Sequence, residues 1–226
     1  MSENNRKNIL SSELKYTFIS LLSHKISVVI IGGGKASFIK CKSFAEKNCN
    51  VLVLSKKFNP IFNSLENLAN VELIQDYYKK SYIIDKHLVV IAVDDKKVNK
   101  RIKEDCENNY KLYLDCSNFK NGLFITPMQK QMKSLSFSIH TNAGNPKASI
   151  LLANSIEDKL NDYDDFIEYI SGLREKVRKL HYKDEFMNFV STEDFKFFYS
   201  KGVHKKVLSM YYGGDNFEFK NCYQEE

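Results

Sequence analysis

Residues 28–42 read VVIIGGGKASFIKCK. Three glycines, Gly32, Gly33 and Gly34, end a β-branched run, and Lys35, Ala36 and Ser37 follow them. Apolar residues then recur at helical spacing through Phe38, Cys41, Phe44 and Ala45. Strand, tight turn and helix in that order make a phosphate cradle. Gly32 permits the turn, and Gly34, having no Cβ, lets a pyrophosphate approach the backbone. Ser37 stands at the third position of G-x-G-x-x-G and is small enough for the helix to pack on the strand. The free N–H groups and the dipole of that helix face the phosphates. The stretch predicts a bound dinucleotide.

A second chemical position lies at the end of the next strand, Val51 to Leu54 (VLVL). An acidic residue there would bond the ribose hydroxyls of NAD, but this chain has Ser55, Lys56 and Lys57. NAD is therefore not positively specified, and the two lysines leave room for the extra phosphate of NADP. Farther on, His87 to Val93 (HLVVIAV) reads as a buried strand that meets Asp94 and Asp95 at once. That pair reads as the cap of a helix whose inner face is Val98, Ile102 and Cys106. Leu112 to Cys116 (LYLDC) is the next strand.

These positions need a framework of alternating strands and helices. Phe58 to Asn70 reads as a helix and Val71 to Ile74 (VELI) as a short strand. Such alternation predicts an α/β fold with a parallel sheet covered on both faces. The pattern changes near Pro127. Leu135, Phe137 and Ile139 alternate with serines, the mark of a half-exposed strand whose free edge suits another subunit. Asn145 then caps a helix with Pro146 at its first position, carrying Ala148, Leu151, Leu152, Ile156 and Leu160 on one side. A separate helix holds Phe166, Ile170, Leu173, Val177 and Leu180, with a basic end at Arg174, Lys176, Arg178, Lys179 and Lys183. Ser191 or Thr192 caps another helix, Gly202 breaks it, and Val203 to Tyr212 forms the last.

Bulk properties narrow the function classes. At 226 residues, 43% hydrophobic and 27% charged, the chain reads as one or two globular domains. A net charge of +6 suits an anionic ligand. The aromatic–basic interleaving of a nucleic-acid surface is missing, so nucleic acid is not an expected partner. Cys41, Cys49, Cys106, Cys116 and Cys222 form no C-x-x-C pair, which predicts free thiols in a reducing compartment and no cysteine metal site. No apolar run reaches membrane-spanning length, and the polar opening at residues 1–12 has no signal-peptide core, so a cytoplasmic protein without a membrane partner is expected.

In order and in sequence, the pieces resemble the precorrin-2 dehydrogenase / sirohydrochlorin ferrochelatase family, which includes the N-terminal half of siroheme synthase. VVIIGGGKASFIKCKSF is similar to the family's glycine-rich opening, and HLVVIAVDDKKVNKRI to its L-V-I-A-A-T-D-D segment. GLFITPM with LSFSIHTNAGNPKAS resembles its F-I-x-P and serine-loop stretches, and FIEYISGLREKVRKL its helical end. The resemblance covers about residues 14–200. It implies a Rossmann-type NAD(P)-binding domain over residues 1–126, a dimerisation segment over 127–159 and a helical domain over 160–226.

The chemistry so implied is NAD-dependent oxidation of precorrin-2 to sirohydrochlorin, on the route to sirohaem or cobalamin, by a homodimer. Some members also insert Fe²⁺. Carried over residue by residue, the cofactor site takes Gly32, Gly33, Gly34, Lys35, Ala36, Ser55, Ala92, Val93 and Asp94. The tetrapyrrole would meet Thr141, Asn142, Asn145 and Lys147. The family's key aspartate follows the fifth strand. Counting back from Pro127 without a gap puts Ser117 there, whereas a two-residue shift puts Asp115 there, so both are candidates, with His140 as a further proton acceptor. If the aspartate is absent, the chain would be a catalytically impaired regulator that binds NAD and tetrapyrrole. A ligand-sensing NAD module is a second alternative, but it leaves the HTNAGNP loop and the helical end without a role.

Overall fold

The computed structural model describes residues 15–65, 67–142 and 144–213. The polar opening at residues 1–12, Ala143, Cys222 and the tail beyond Gly213 lie outside the described residues. The chain divides into two compact units, Met1–Thr126 and Pro127–Glu226.

In the first unit five short runs of Val, Ile and Leu become the parallel strands β1 (Ser27–Ile31), β2 (Asn50–Ser55), β3 (Val71–Gln75), β4 (Leu88–Ile91) and β5 (Leu112–Asp115). Their order across the sheet is β3-β2-β1-β4-β5. Val28 pairs with both Val51 and Leu88, and Ile91 pairs with Asp115. Alternate residues feed two cores. Val28 and Ile30 pack with Cys41, Ala45, Phe62 and Leu65 on one face. Val29, Ile31, Val89 and Ile91 pack with Ile83, Ile102 and Cys106 on the other. Helices α1 (Lys35–Ala45), α2 (Ser81–Ile84) and α3 (Lys96–Asn108) supply most of this cover. Because both faces are covered, the strands read as unbroken apolar runs.

The chain leaves β1 toward β2 on one side and reaches β4 on the other. This reversal opens a crevice at the carboxyl ends of β1 and β4, the position where open α/β sheets bind ligands.

One stretch of this unit departs from expectation. Residues 58–70, expected as a helix, form only a 3₁₀ turn over Pro60–Leu65. Pro60 has no N–H, Asn59 turns its side chain back to the Ile61 N–H at 3.1 Å, and four asparagines in the stretch favour turns over helix. Residues 18–22 (FISLL) run without regular structure, with Phe18 60% and Ile19 77% exposed, before a 3₁₀ turn at Ser23–Lys25 leads into β1.

The second unit opens on an antiparallel hairpin of β6 (Met128–Gln131) and β7 (Ser136–Ile139), with Met128 opposite Ile139. The strand read from the serine alternation is β7. Its partner β6, MQKQ, has no apolar alternation to reveal it. Helix α4 (Pro146–Lys176) follows as one continuous element, where the sequence reading broke it into two. Residues 160–166 contain no glycine or proline, and their acids have partners: the Asp164 carboxylate accepts from the N–H groups of Lys133 and Ser134 at 2.9 and 2.7 Å. Helices α5 (Lys183–Val190), α6 (Glu193–Ser200) and α7 (His204–Tyr212) complete the unit. Phe166, Ile170, Leu173 and Val177 of the apolar seam bury against Phe186, Val190, Phe195 and Leu208. Of the two candidate caps it is Thr192 that caps α6, accepting from the Phe195 N–H at 3.2 Å.

Candidate functional site

The crevice is built on glycines that have no room to be anything else. Gly32 has φ +134°, and a Cβ there would lie 2.1 Å from the Ala92 carbonyl oxygen and 2.8 Å from Ser37 Oγ. It lets the end of β1 lie directly against the end of β4. A Cβ on Gly33 would lie 2.2 Å from the Lys57 carbonyl oxygen and 2.5 Å from Ser55 Oγ, so this glycine admits the loop after β2. Gly34 differs from both. Nothing lies within 4 Å of a Cβ built on it, so the space beside it is open.

Gly34 is also the residue before α1, whose start has no side-chain cap. The first N–H groups of a helix have no intrahelical partner, so Lys35 and Ala36 present donors toward that open space. Ser37 is fully buried, and its hydroxyl has no hydrogen-bond partner among the described residues. An open approach, uncapped donors and tight glycines fit the pyrophosphate of a dinucleotide. Ser55 Oγ donates to the Lys57 carbonyl at 2.8 Å, which folds the loop after β2 tightly. The Ala92 N–H donates to Ile31 at 2.8 Å, continuing the β1–β4 ladder, and Val93 follows it half-buried. Asp94 is exposed. Asp95 caps α3, accepting from Lys97 and Val98 at 2.8 and 3.1 Å, and those two bonds hold its carboxyl below the ordinary value.

At the end of β5 the structure places Asp115, fully buried, opposite Ile91. Oδ1 accepts from Ser117 Oγ at 2.6 Å, the Ser117 N–H at 2.9 Å and Asn99 Nδ2 at 3.3 Å, while Lys103 Nζ lies 2.5 Å from Oδ2. Burial alone would raise this carboxyl. The bonds from Lys103, Ser117 and Asn99 outweigh it and bring the value down to about 2. Asp115 and Ser117 are thus one hydrogen-bonded unit, and a 3₁₀ turn at Phe119–Asn121 takes up the following loop. Sequence reading missed Lys103. Its signal was the spacing Asn99–Lys103, one turn apart on a face with Ile102 and Cys106.

The second unit gathers the remaining candidates in the loop between β7 and α4. Thr141 Oγ1 accepts from the Asn145 N–H at 2.7 Å, and Asn145 Oδ1 accepts from the Ala148 N–H at 3.1 Å, capping α4. Gly144 turns the loop with φ +69°. His140 is half-buried just before it, and Asn142 and Lys147 are exposed. The nucleotide candidates together with Asp115 and Ser117 therefore sit on one unit, and the HTN–GNPK candidates on the other.

Charge is divided unevenly. Residues 1–126 carry twenty lysines and arginines against thirteen acids, whereas residues 127–226 carry fourteen against fifteen. The basic end of α4 does not make its unit cationic, because Asp162, Asp164, Asp165 and Glu168 precede it. The surplus lies on the sheet unit, with Lys35, Lys56, Lys57, Lys96 and Lys97 at the carboxyl ends of β1, β2 and β4.

Comparison with known proteins agrees with this geometry. A family model described as putative NAD(P)-binding matches residues 19–128. A precorrin-2 dehydrogenase of Priestia megaterium is 24% identical over 150 residues, which is 66% of this chain and 72% of that protein. A siroheme synthase of Enterobacter sp. (strain 638) is 24% identical over 151 residues, covering 66% of this chain but 33% of its own length. The chain thus spans about a third of that larger protein. The solved structure of SirC, a precorrin-2 dehydrogenase, aligns with a TM-score of 0.67 at 19% identity, covering 87% of this chain and 98% of the other. At that identity the likeness is one of fold.

Proposed function

We propose that this chain, which belongs to the precorrin-2 dehydrogenase family, oxidises precorrin-2 to sirohydrochlorin with a nicotinamide dinucleotide as the hydride acceptor. What supports the reading above all is the cradle at the carboxyl ends of β1 and β4. There Gly32 and Gly33 admit no side chain and Gly34 opens onto the uncapped start of α1. The oxidation removes a hydride and a proton from the tetrapyrrole, and bound NAD⁺ or NADP⁺ supplies the acceptor for the hydride. The chain's part is to hold and orient. The N–H groups of Lys35 and Ala36 take the pyrophosphate, and the backbone of Ala92 and Val93 flanks the next segment of the dinucleotide. Ser55 and the lysines after it meet the adenosine ribose.

Precorrin-2 is a polyanion, and the lysines along the same edge suit its carboxylates. The Thr141–Asn145 loop with Lys147 is the second contact we assign to it. Of the three candidates we assign His140 as the proton acceptor. Asp115, held near 2 by Lys103, Ser117 and Asn99, is a poor base at neutral pH. A homodimer accompanies this reading. Ile150, Leu151 and Leu152 are 47%, 68% and 47% exposed at the start of α4, an apolar run that a second copy would cover. No helix among the described residues is long and apolar enough to cross a membrane. Insertion of Fe²⁺ into the product would be a further activity of the same substrate site.

The burial of Asp115 also favours a second reading, a regulator that binds dinucleotide and tetrapyrrole without turnover. Incubating precorrin-2 with NAD⁺ or NADP⁺ separates the two. Sirohydrochlorin absorbance rising with reduced dinucleotide supports the enzyme. Tight tetrapyrrole binding with no turnover on either cofactor supports the regulator.

A further inference from the structure

We infer that Lys56 and Lys57 form a subsite for a phosphate on the adenosine 2′-oxygen, so that this chain takes NADP⁺ in preference to NAD⁺. The inference rests on the dinucleotide reading of the Gly32–Gly34 cradle and adds to it the phosphorylation state of the ligand. In this fold the residue ending the second strand decides between a ribose hydroxyl and a ribose phosphate, because it stands where the adenosine ribose lies. A carboxylate accepts from the 2′-hydroxyl and repels a phosphate. Here that residue is Ser55, a neutral hydroxyl that donates to the Lys57 carbonyl at 2.8 Å and brings no negative charge to repel a phosphate.

Two acids near this loop already carry partners. The Asp76 N–H donates to the Ser55 carbonyl at 3.1 Å, which puts Asp76 beside the loop on β3's end. Its carboxylate is taken by Lys79 at 2.6 Å, the Tyr82 hydroxyl at 2.7 Å and the Tyr77 N–H at 2.7 Å, and those bonds bring it down to about 2. Asp95 spends Oδ1 on the start of α3. Asp76, with three donors on its carboxylate, has little acceptor capacity left for a ribose hydroxyl.

The cations, by contrast, are in place. Lys56 and Lys57 are both exposed, and neither makes an ion pair among the described residues. The Lys56 ammonium stands 4.7 Å from the centroid of the Tyr77 ring, which holds it over the end of the sheet rather than leaving it in free solution. Gly33 fixes the loop from below, since the Lys57 carbonyl and Ser55 Oγ occupy the space a Cβ would need. A tight loop with two consecutive lysines, one of them held by an aromatic face, suits a dianionic phosphate and ends its strand without the carboxylate that binds a ribose diol.

Titration calorimetry with 2′,5′-ADP and 5′-ADP tests this without turnover. The inference expects 2′,5′-ADP to bind about tenfold or more tightly than 5′-ADP, as two charge-assisted contacts should give. That gap should narrow as salt is raised. In Lys56→Gln/Lys57→Gln it should fall to roughly twofold or less, since the neutral amides keep the chain length and lose the charges. Equal affinities for the two nucleotides, or a gap that survives the double substitution, overturn the subsite while leaving the dinucleotide cradle standing. Binding of neither nucleotide overturns the dinucleotide reading itself.

Discussion

Replacing Lys103 by methionine isolates the energetics of the buried carboxylate at the end of β5. The substitution keeps the apolar stem of the side chain and removes the ammonium 2.5 Å from Asp115 Oδ2. Asp115 is fully buried, so it is left as a charge without its counter-ion. Breaking such a pair costs about 3–5 kcal/mol when both partners are inaccessible. Lys103 is 21% exposed, which lets water into the site and puts the expected loss at the lower end of that range.

The carboxyl itself gives a second measure. Its value is about 2 against an ordinary 3.8, a difference that contributes about 2 kcal/mol at neutral pH. Because the folded-state value is depressed, that stability is complete above the unfolded value near 3.8 and is lost as pH falls toward 2. Thermal unfolding of both proteins between pH 7 and pH 3 is the assay. A loss of 2–3 kcal/mol lowers the midpoint of a unit this size by about 8–20 °C. The gap between wild type and Lys103→Met should begin to shrink below about pH 4, where the unfolded chain takes up the Asp115 proton while the folded wild type, held at about 2, does not. A variant as stable as wild type at pH 7, or a gap unchanged down to pH 3, refutes the reasoning.

Four other substitutions give separate readings. Gly32→Ala forces a Cβ onto the Ala92 carbonyl and should lower stability as well as nucleotide affinity. Gly34→Ala meets no atom, so it should leave the melting temperature near wild type and weaken nucleotide binding alone; equal melting losses in the two variants would contradict this division. Leu151→Glu should turn a dimer into a monomer by sedimentation, and an unchanged mass would remove the start of α4 from the interface. His204 packs between the Tyr169 and Tyr199 rings at 4.8 and 4.9 Å, and burial, then the charge of Lys205, lowers its value below 6.5. The helical unit should therefore lose stability as pH falls below about 6.5, and His204→Gln should flatten that decline between pH 7 and 5; an identical decline in the variant would place its cause elsewhere.

What the sequence revealed follows from how each element is buried. VVII, VLVL and LVVI were legible as strands because a sheet covered on both faces demands apolar residues at every position. The hairpin partner β6 was not, since MQKQ is alternately exposed and carries three polar side chains out of four. Residues 58–70 misled through their apolar spacing, which Pro60 and the asparagines overrode. The glycine turn could be read in type but not in division of labour. Only the folded structure distinguishes Gly32 and Gly33, which have no room for a side chain, from Gly34, which has. Asp115 and Ser117 competed for one position by counting. The register Ile91↔Asp115 puts Asp115 at the strand end, and the Ser117 hydroxyl and N–H join it there. Lys103 stayed hidden because its one-turn spacing from Asn99 is that of any helix face, and only the packing of α3 on β5 shows that both meet Asp115.

The most direct measurement is the stoichiometry of an anaerobic turnover. Precorrin-2 and the full-length chain are mixed with NAD⁺ or NADP⁺, and reduced dinucleotide and sirohydrochlorin are followed together by absorbance. The account predicts equal molar amounts of the two products, appearing at the same rate and only when dinucleotide is present. Sirohydrochlorin formed at an undiminished rate without dinucleotide, or reduced dinucleotide failing to appear with either cofactor, would contradict it.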